Sequence, residues 1–196
     1  MSSAVLSATP RVLADAFVPS SAVANTALVL GGAALTAVLA QLSVPLWPVP
    51  ITGQTLAVLL VGSALGPVRG ALAMVAYWIA GVAGLPVFSD ASSGLASALG
   101  PSGGYIVGFI ASAYLVGKLA ERNWDRKFLG AAVSFLAGTV TTFAFGMVWL
   151  AIALGANLQQ TLEWGLYPFI IGGIVKAAIA AAIIPAVWKL ARKLPK

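Results

Sequence analysis

Ten of the eleven Lys and Arg residues in this chain lie in alternate connections between apolar segments. The six segments span about 26–44, 51–65, 70–85, 103–120, 128–154 and 167–190. Arg11 precedes the first, and Arg69 separates the second from the third. Lys118, Arg122, Arg126 and Lys127 separate the fourth from the fifth, and Lys189, Arg192, Lys193 and Lys196 close the sixth. The three remaining connections hold no Lys or Arg, only Asp90 and Glu163. Basic connections stay on the cytoplasmic side when a membrane protein inserts, so a partition this one-sided sets both helix number and orientation. It predicts an all-α integral membrane protein with six transmembrane helices and both termini cytoplasmic. Composition agrees, with 60% hydrophobic and 8% charged residues, where a soluble domain carries about 25% charged.

The same reading divides the chain into a cytoplasmic tail over 1–25, one six-helix membrane domain over 26–192, and a basic tail over 193–196. Residues 1–24 hold Arg11 and Asp15 without a basic, apolar and cleavage-site succession, so they are read as a mobile or interface-lying tail, not a signal peptide. With no Cys and no His, disulfides, thiolate chemistry and imidazole metal sites are excluded, and no metal or cofactor is expected. The net charge of +6 sits at segment ends; it reports topology and predicts no nucleic-acid partner. Trp47, Trp164 and Tyr167 fall at the outer boundary, Trp124 and Trp188 at the inner one, as interfacial anchors do.

One cation breaks the pattern. Lys176 stands within the sixth apolar segment, roughly 12 Å below its outer end at 1.5 Å per residue. An ammonium at that depth requires partners, which makes it a candidate ligand contact. Segments two, four and six all start at the outer face, so their N-terminal amides point outward and favour an anion arriving from that side. Thr52 and Gln54 open segment two, as helix caps or as ligand contacts. The connection carrying Phe88 and Asp90 is polar enough to face water or a ligand, while the first outer connection is stiffened by Pro45, Pro48 and Pro50. Gly103-Gly104-Tyr105 offers close backbone approach and a phenol. Asn157, Gln159 and Gln160 read as solvated loop residues. Gly32, Ala33, Thr36, Ala37 and Ala40 form a small-residue face, suited to packing inside the bundle or against another protein. No paired carboxylates or nucleophile–base set exists for an enzyme to use.

These residues resemble a known family. Pro48-Val49-Pro50-Ile51-Thr52-Gly53-Gln54-Thr55-Leu56, Gly66-Pro67-Val68-Arg69-Gly70-Ala71 and Gly84-Leu85-Pro86-Val87-Phe88 are typical of BioY, as are the 100–109 and 167–176 stretches. BioY is the biotin-capturing substrate-binding subunit of energy-coupling-factor (ECF) transporters. The resemblance covers about 26–190 and implies a six-helix subunit binding biotin from outside. It also implies a transmembrane coupling protein and two cytoplasmic ABC-type ATPases as partners. By resemblance Lys176 is the deep polar contact, and Thr52, Gln54, Phe88, Gly104 and Tyr105 contribute from loops and helix starts. Ala33 and Ala37 resemble the Ala-x-x-x-Ala pattern that docks on the coupling protein. Many relatives carry Asp three residues before this lysine; here that position is Gly173. The ligand or an ordered water is then expected to supply the acceptors that Lys176 lacks. Two alternatives stay open: a related subunit for another small anionic vitamin, and a structural membrane protein without ligand.

Overall fold

Hydrocarbon offers no partners to backbone amides, so apolar spans satisfy their hydrogen bonds internally as helices. The computed structural model describes residues 11–193 and is mostly helical. Six long helices match the six apolar segments: α1 (Ala22–Ala40), α2 (Gln54–Leu65), α3 (Pro67–Val82), α5 (Gly103–Glu121), α6 (Phe128–Leu154) and α8 (Ile170–Ala191). Two shorter ones, α4 (Gly94–Ala98) and α7 (Leu158–Gly165), lie in the connections after α3 and α6. Strands β1 (Ser43–Val44) and β2 (Ile51–Thr52) pair antiparallel, Ser43 opposite Thr52, and pin the ends of the proline-rich loop together. Gln159 and Gln160 lie in α7, not in a loop, and exposed Asn157 caps that helix, its side chain accepting from the Gln160 amide while its own amide donates to Gln160 Oε1.

Four stretches are long and apolar enough to cross a membrane: Ala22–Ala40, Gly103–Glu121, Phe128–Leu154 and Leu158–Ala191, the last comprising α7 and α8. The chain is thus a multi-pass membrane protein. Helix α2, with 12 residues, is about 18 Å long, well short of the ~30 Å hydrocarbon thickness. It lies inside the bundle against α1, α3, α5 and α8, with Val58, Leu59 and Val61 buried. Gly66, at φ +85°, ends it, and Pro67 starts α3 at once. That turn needs glycine, because only glycine adopts this φ without strain.

The small-residue face of α1 is divided by packing. Gly32, Thr36 and Ala40 are buried. A Cβ on Gly32 would approach Val61 and Ala73 to about 3 Å, so this edge of α1 is internal. Ala33 and Ala37 are half-buried beside it.

The N-terminal tail is not loosely attached over its described part. Val12, Leu13 and Ala14 are buried, and Leu13–Ala16 forms a 3-10 turn against α2. Asp15 accepts from Arg69 at 2.6 Å, and Arg69 also donates to Asn25. Apolar side chains at 12 and 13 find a notch over the Gly66 turn, which no period in so short a stretch foretells. The remainder of the expected tails, 1–10 and 194–196, lies outside the described residues.

The connection between α5 and α6 also departs from expectation. Trp188 is no interfacial anchor, being 2% exposed. Its Nε1 donates to Asp125 Oδ2 at 2.8 Å, Ser63 Oγ donates to the same oxygen at 3.2 Å, and the Arg126 guanidinium stacks on the indole at 3.3 Å. One buried carboxylate therefore joins α2, the 124–126 turn and α8. Asp125→Ala would leave two buried donors without an acceptor, for an expected loss of about 3 kcal/mol, read as a lower thermal midpoint in detergent. Burial pushes the Asp125 carboxyl above its usual range, against the opposing pull of Trp188, Arg126 and Ser63. Between the unfolded and folded pKa values, the native state therefore binds a proton more readily than the unfolded chain. Stability from this group is complete below the unfolded pKa and falls as pH rises through the folded one. Asp125→Asn should flatten that slope of midpoint against pH.

Candidate ligand-binding site

The N-termini of α2, α5 and α8 meet at one end of the bundle, and α6 closes the fourth side. They surround a small cavity of about 50 Å³. Thr52, Gln54 and Thr55 come from the start of α2, Ser102, Tyr105 and Ile106 from the start of α5, and Phe169, Gly173 and Lys176 from α8. Thr139 and Phe143 face them from α6. Three helix N-termini around one ammonium make a positive pole within apolar walls.

Lys176 is half-buried and donates to the Thr52 carbonyl and, at 3.1 Å, to Thr55 Oγ1. The acceptors expected from ligand or water are therefore partly supplied by the protein itself. Residue 52 can serve because β2 ends there: its carbonyl sits at the strand-to-helix junction, free of a helical partner. A chain of hydrogen bonds continues from this point. Thr52 Oγ1 donates to Gln54 Oε1 at 2.7 Å, Gln54 Nε2 to Tyr77 Oη at 2.6 Å, and Tyr77 Oη to the Val87 carbonyl at 3.0 Å. Gln54 and Tyr77 are buried, so each bond fixes a polar group that water cannot reach.

The opposite wall is aromatic. Tyr105, Phe143 and Phe169 stand with centroids 5.9 to 6.4 Å apart, and Tyr105 Oη is anchored at 2.8 Å on the Gly165 carbonyl of α7. Gly173 leaves the wall open between them. A Cβ there would meet Thr139 Cγ2 at 3.3 Å and Phe143 Cε2 at 3.6 Å, so a larger side chain fits with a small adjustment.

Of the candidates read from the sequence, the cavity unites Thr52, Gln54, Tyr105, Gly173 and Lys176. Phe88, Asp90 and Gly104 lie off its wall. Phe88 is 2% exposed and its ring fills the space over Gly81, edge-on to Tyr77 at 5.5 Å; it anchors the loop. Asp90 is exposed and accepts from Ser43 Oγ. The backbone approach at Gly104 is made by α6, since a Cβ there would lie 2.1 Å from Trp149 Cβ. Glycine serves helix packing at this point, not ligand access. Thr55, Ser89, Ser102, Thr139, Phe143 and Phe169 escaped the sequence reading. Thr55 had a signal, one helical turn from Thr52. Thr139 did not, because its hydroxyl bonds the Phe135 carbonyl at 2.9 Å like any threonine within a membrane helix.

A cavity with one cation, convergent amides, several hydroxyls and aromatic walls is suited to a small anion with an apolar body. The comparisons with known proteins point the same way. The BioY family model matches residues 10–193. The chain is 41% identical over 150 residues to the probable biotin transporter BioY of Pyrococcus horikoshii, covering 76% of this chain and 87% of that one. It is 36% identical over 157 residues to the biotin transporter BioY of Thermotoga maritima, covering 80% and 91%. A crystal structure of the S-component for biotin from an ECF-type ABC transporter superposes with a TM-score of 0.77 at 28% identity, over 85% of this chain and 92% of that one. Motifs, fold and sequence similarity along nearly the whole chain agree: this chain belongs to the BioY family.

Proposed function

We propose that this chain is the biotin-binding S component of an ATP-driven ECF-type importer, capturing biotin at the outer face of the cell membrane for inward delivery. The observation that carries this reading is Lys176 at the base of a cavity ringed by three helix N-termini, in a chain related to biotin transporters. Biotin brings a carboxylate, an apolar chain and ring, and a ureido group. Lys176 with Thr52 and Gln54 would meet its polar atoms, and Tyr105 with the Gly173 opening its rings. Phe88, Asp90 and Gly104 would act from behind the wall, by fixing the outer loop and the α5–α6 contact. In this reading α2 and α3 count as spans, making six, with both termini cytoplasmic. Ala33 and Ala37 would dock on a membrane-embedded coupling protein, and two cytoplasmic ABC-type ATPases would hydrolyse the ATP; the chain itself is no enzyme.

Titration calorimetry of biotin into the purified protein tests the ligand, with other small anionic vitamins as competitors. Submicromolar biotin binding supports the assignment; none by folded protein overturns it. Gly173→Asp is expected to leave the affinity within tenfold and not to improve it. Lys176 already has two protein acceptors, and an aspartate one turn away would draw the ammonium from the ligand. A tenfold gain in affinity would mean that Lys176 lacks a counter-ion after all.

A further inference from the structure

The cavity wall at Ser89 belongs to a short strap, 86–92, closed by its own bonds from the Phe88 amide to the Ser92 carbonyl and from the Ser92 amide and hydroxyl to the Ser89 carbonyl. Asp90 and Ala91 follow one another at φ 56° and 54°, the left-handed region that side chains with a Cβ avoid. Two such residues in succession persist only where the surroundings hold them. The holding is visible from both sides. On one side Tyr77 Oη donates to the Val87 carbonyl and Phe88 is wedged over Gly81. On the other stands Gln41, at the C-terminal end of α1. Its Nε2 donates to the Phe88 carbonyl at 3.1 Å and to the Ala37 carbonyl at 3.0 Å, and its Oε1 accepts from the Ala91 amide at 3.0 Å. One exposed side-chain amide thus brackets the strained pair, and Ser43 adds a bond to Asp90.

We propose that Gln41 is a positioning residue that latches the 88–91 strap to α1 and thereby sets how fast ligand leaves the cavity behind Ser89. A glutamine suits this task because its amide carries donor and acceptor on separate atoms, which reach the two ends of the strap together. Its remaining bond, to the Ala37 carbonyl, ties the latch to the helix carrying the proposed docking residues. Motion of the strap and of the α1 terminus is coupled through one side chain.

The role in ligand release rests on the biotin reading above; the latch itself does not, so the experiment reads both. Biotin dissociation and association rates are measured for wild type, Gln41→Ala and Gln41→Glu, alongside hydrogen exchange of the 86–93 amides without ligand. For Gln41→Ala, dissociation is expected to rise about tenfold with association within twofold, and exchange at Ala91 to accelerate. Gln41→Glu keeps the acceptor for the Ala91 amide and loses the donor to Phe88, so its dissociation rate should fall between the two. Thermal midpoints without ligand should agree among all three, since Gln41 is exposed, which separates latching from a general loss of stability. An unchanged dissociation rate in Gln41→Ala overturns the proposal, as does exchange that is equally fast in wild type. If wild type binds no biotin, the biotin reading fails. The latch is then judged on exchange alone: acceleration confined to 86–93 supports it, and none refutes it.

Discussion

Replacing Lys176 by alanine is expected to weaken biotin binding at least about thirtyfold. Truncating one partner of a buried, hydrogen-bonded charge contact costs about 2–5 kcal/mol, and 1.4 kcal/mol is tenfold. The loss has two parts. The ligand's acceptor loses its donor, and the Thr52 carbonyl and Thr55 hydroxyl that steer the ammonium are left facing an apolar gap. Lys176→Arg should bind better than the alanine variant but below wild type, because a planar fork cannot reproduce a point donor between two fixed oxygens. Calorimetric titration reads the affinity, and the thermal midpoint without ligand reads folding. Alanine-variant binding within threefold of wild type would move the site's energetics to the loop hydroxyls.

The second large effect is structural. Gly117→Val is expected to abolish recovery of folded protein. A Cβ at 117 would lie 2.4 Å from Gly66 C and Pro67 N, which are backbone atoms of the α2–α3 turn and cannot swing aside. Withdrawing α5 gives no relief, because the same helix is held at Gly62, where a Cβ would be 2.7 Å from the Ala113 carbonyl oxygen. Overpacking that cannot relax costs about 3 kcal/mol or more, a large share of a total stability of about 5–15 kcal/mol. Size-exclusion profiles of detergent extracts check it, with Gly172→Ala as the control, since nothing lies within 4 Å of a Cβ there. A monodisperse Gly117→Val protein would show that the turn shifts freely.

The contrast between these glycines shows where sequence reasoning stops. Gly117 and Gly172 look alike as letters in apolar segments, and only the neighbouring helix distinguishes them. The outer loop behaves in the same way. Phe88, Ser89 and Asp90 are consecutive, and the expectation that the first and third would meet ligand was plausible. The left-handed turn rotates these residues so that Ser89 joins the wall, Phe88 enters the core and Asp90 faces out. Trp188 reads as an interface anchor in the sequence, because nothing local marks Asp125, 63 residues away, as its hydrogen-bond partner.

What the sequence determined by itself follows from one-dimensional physics. Hydrocarbon selects apolar runs, insertion sorts Lys and Arg to one side, and a buried ammonium needs partners. The helix order, the convergence of the α2, α5 and α8 starts and the presence of Lys176 beside them were legible on those grounds. The tertiary structure alone decided which atoms satisfy Lys176, which hydroxyls line the cavity and which edge of α1 is internal. Those outcomes depend on helix rotation and on the spacing between packed backbones, set by contacts between residues distant in sequence, and hydropathy and charge carry no record of them.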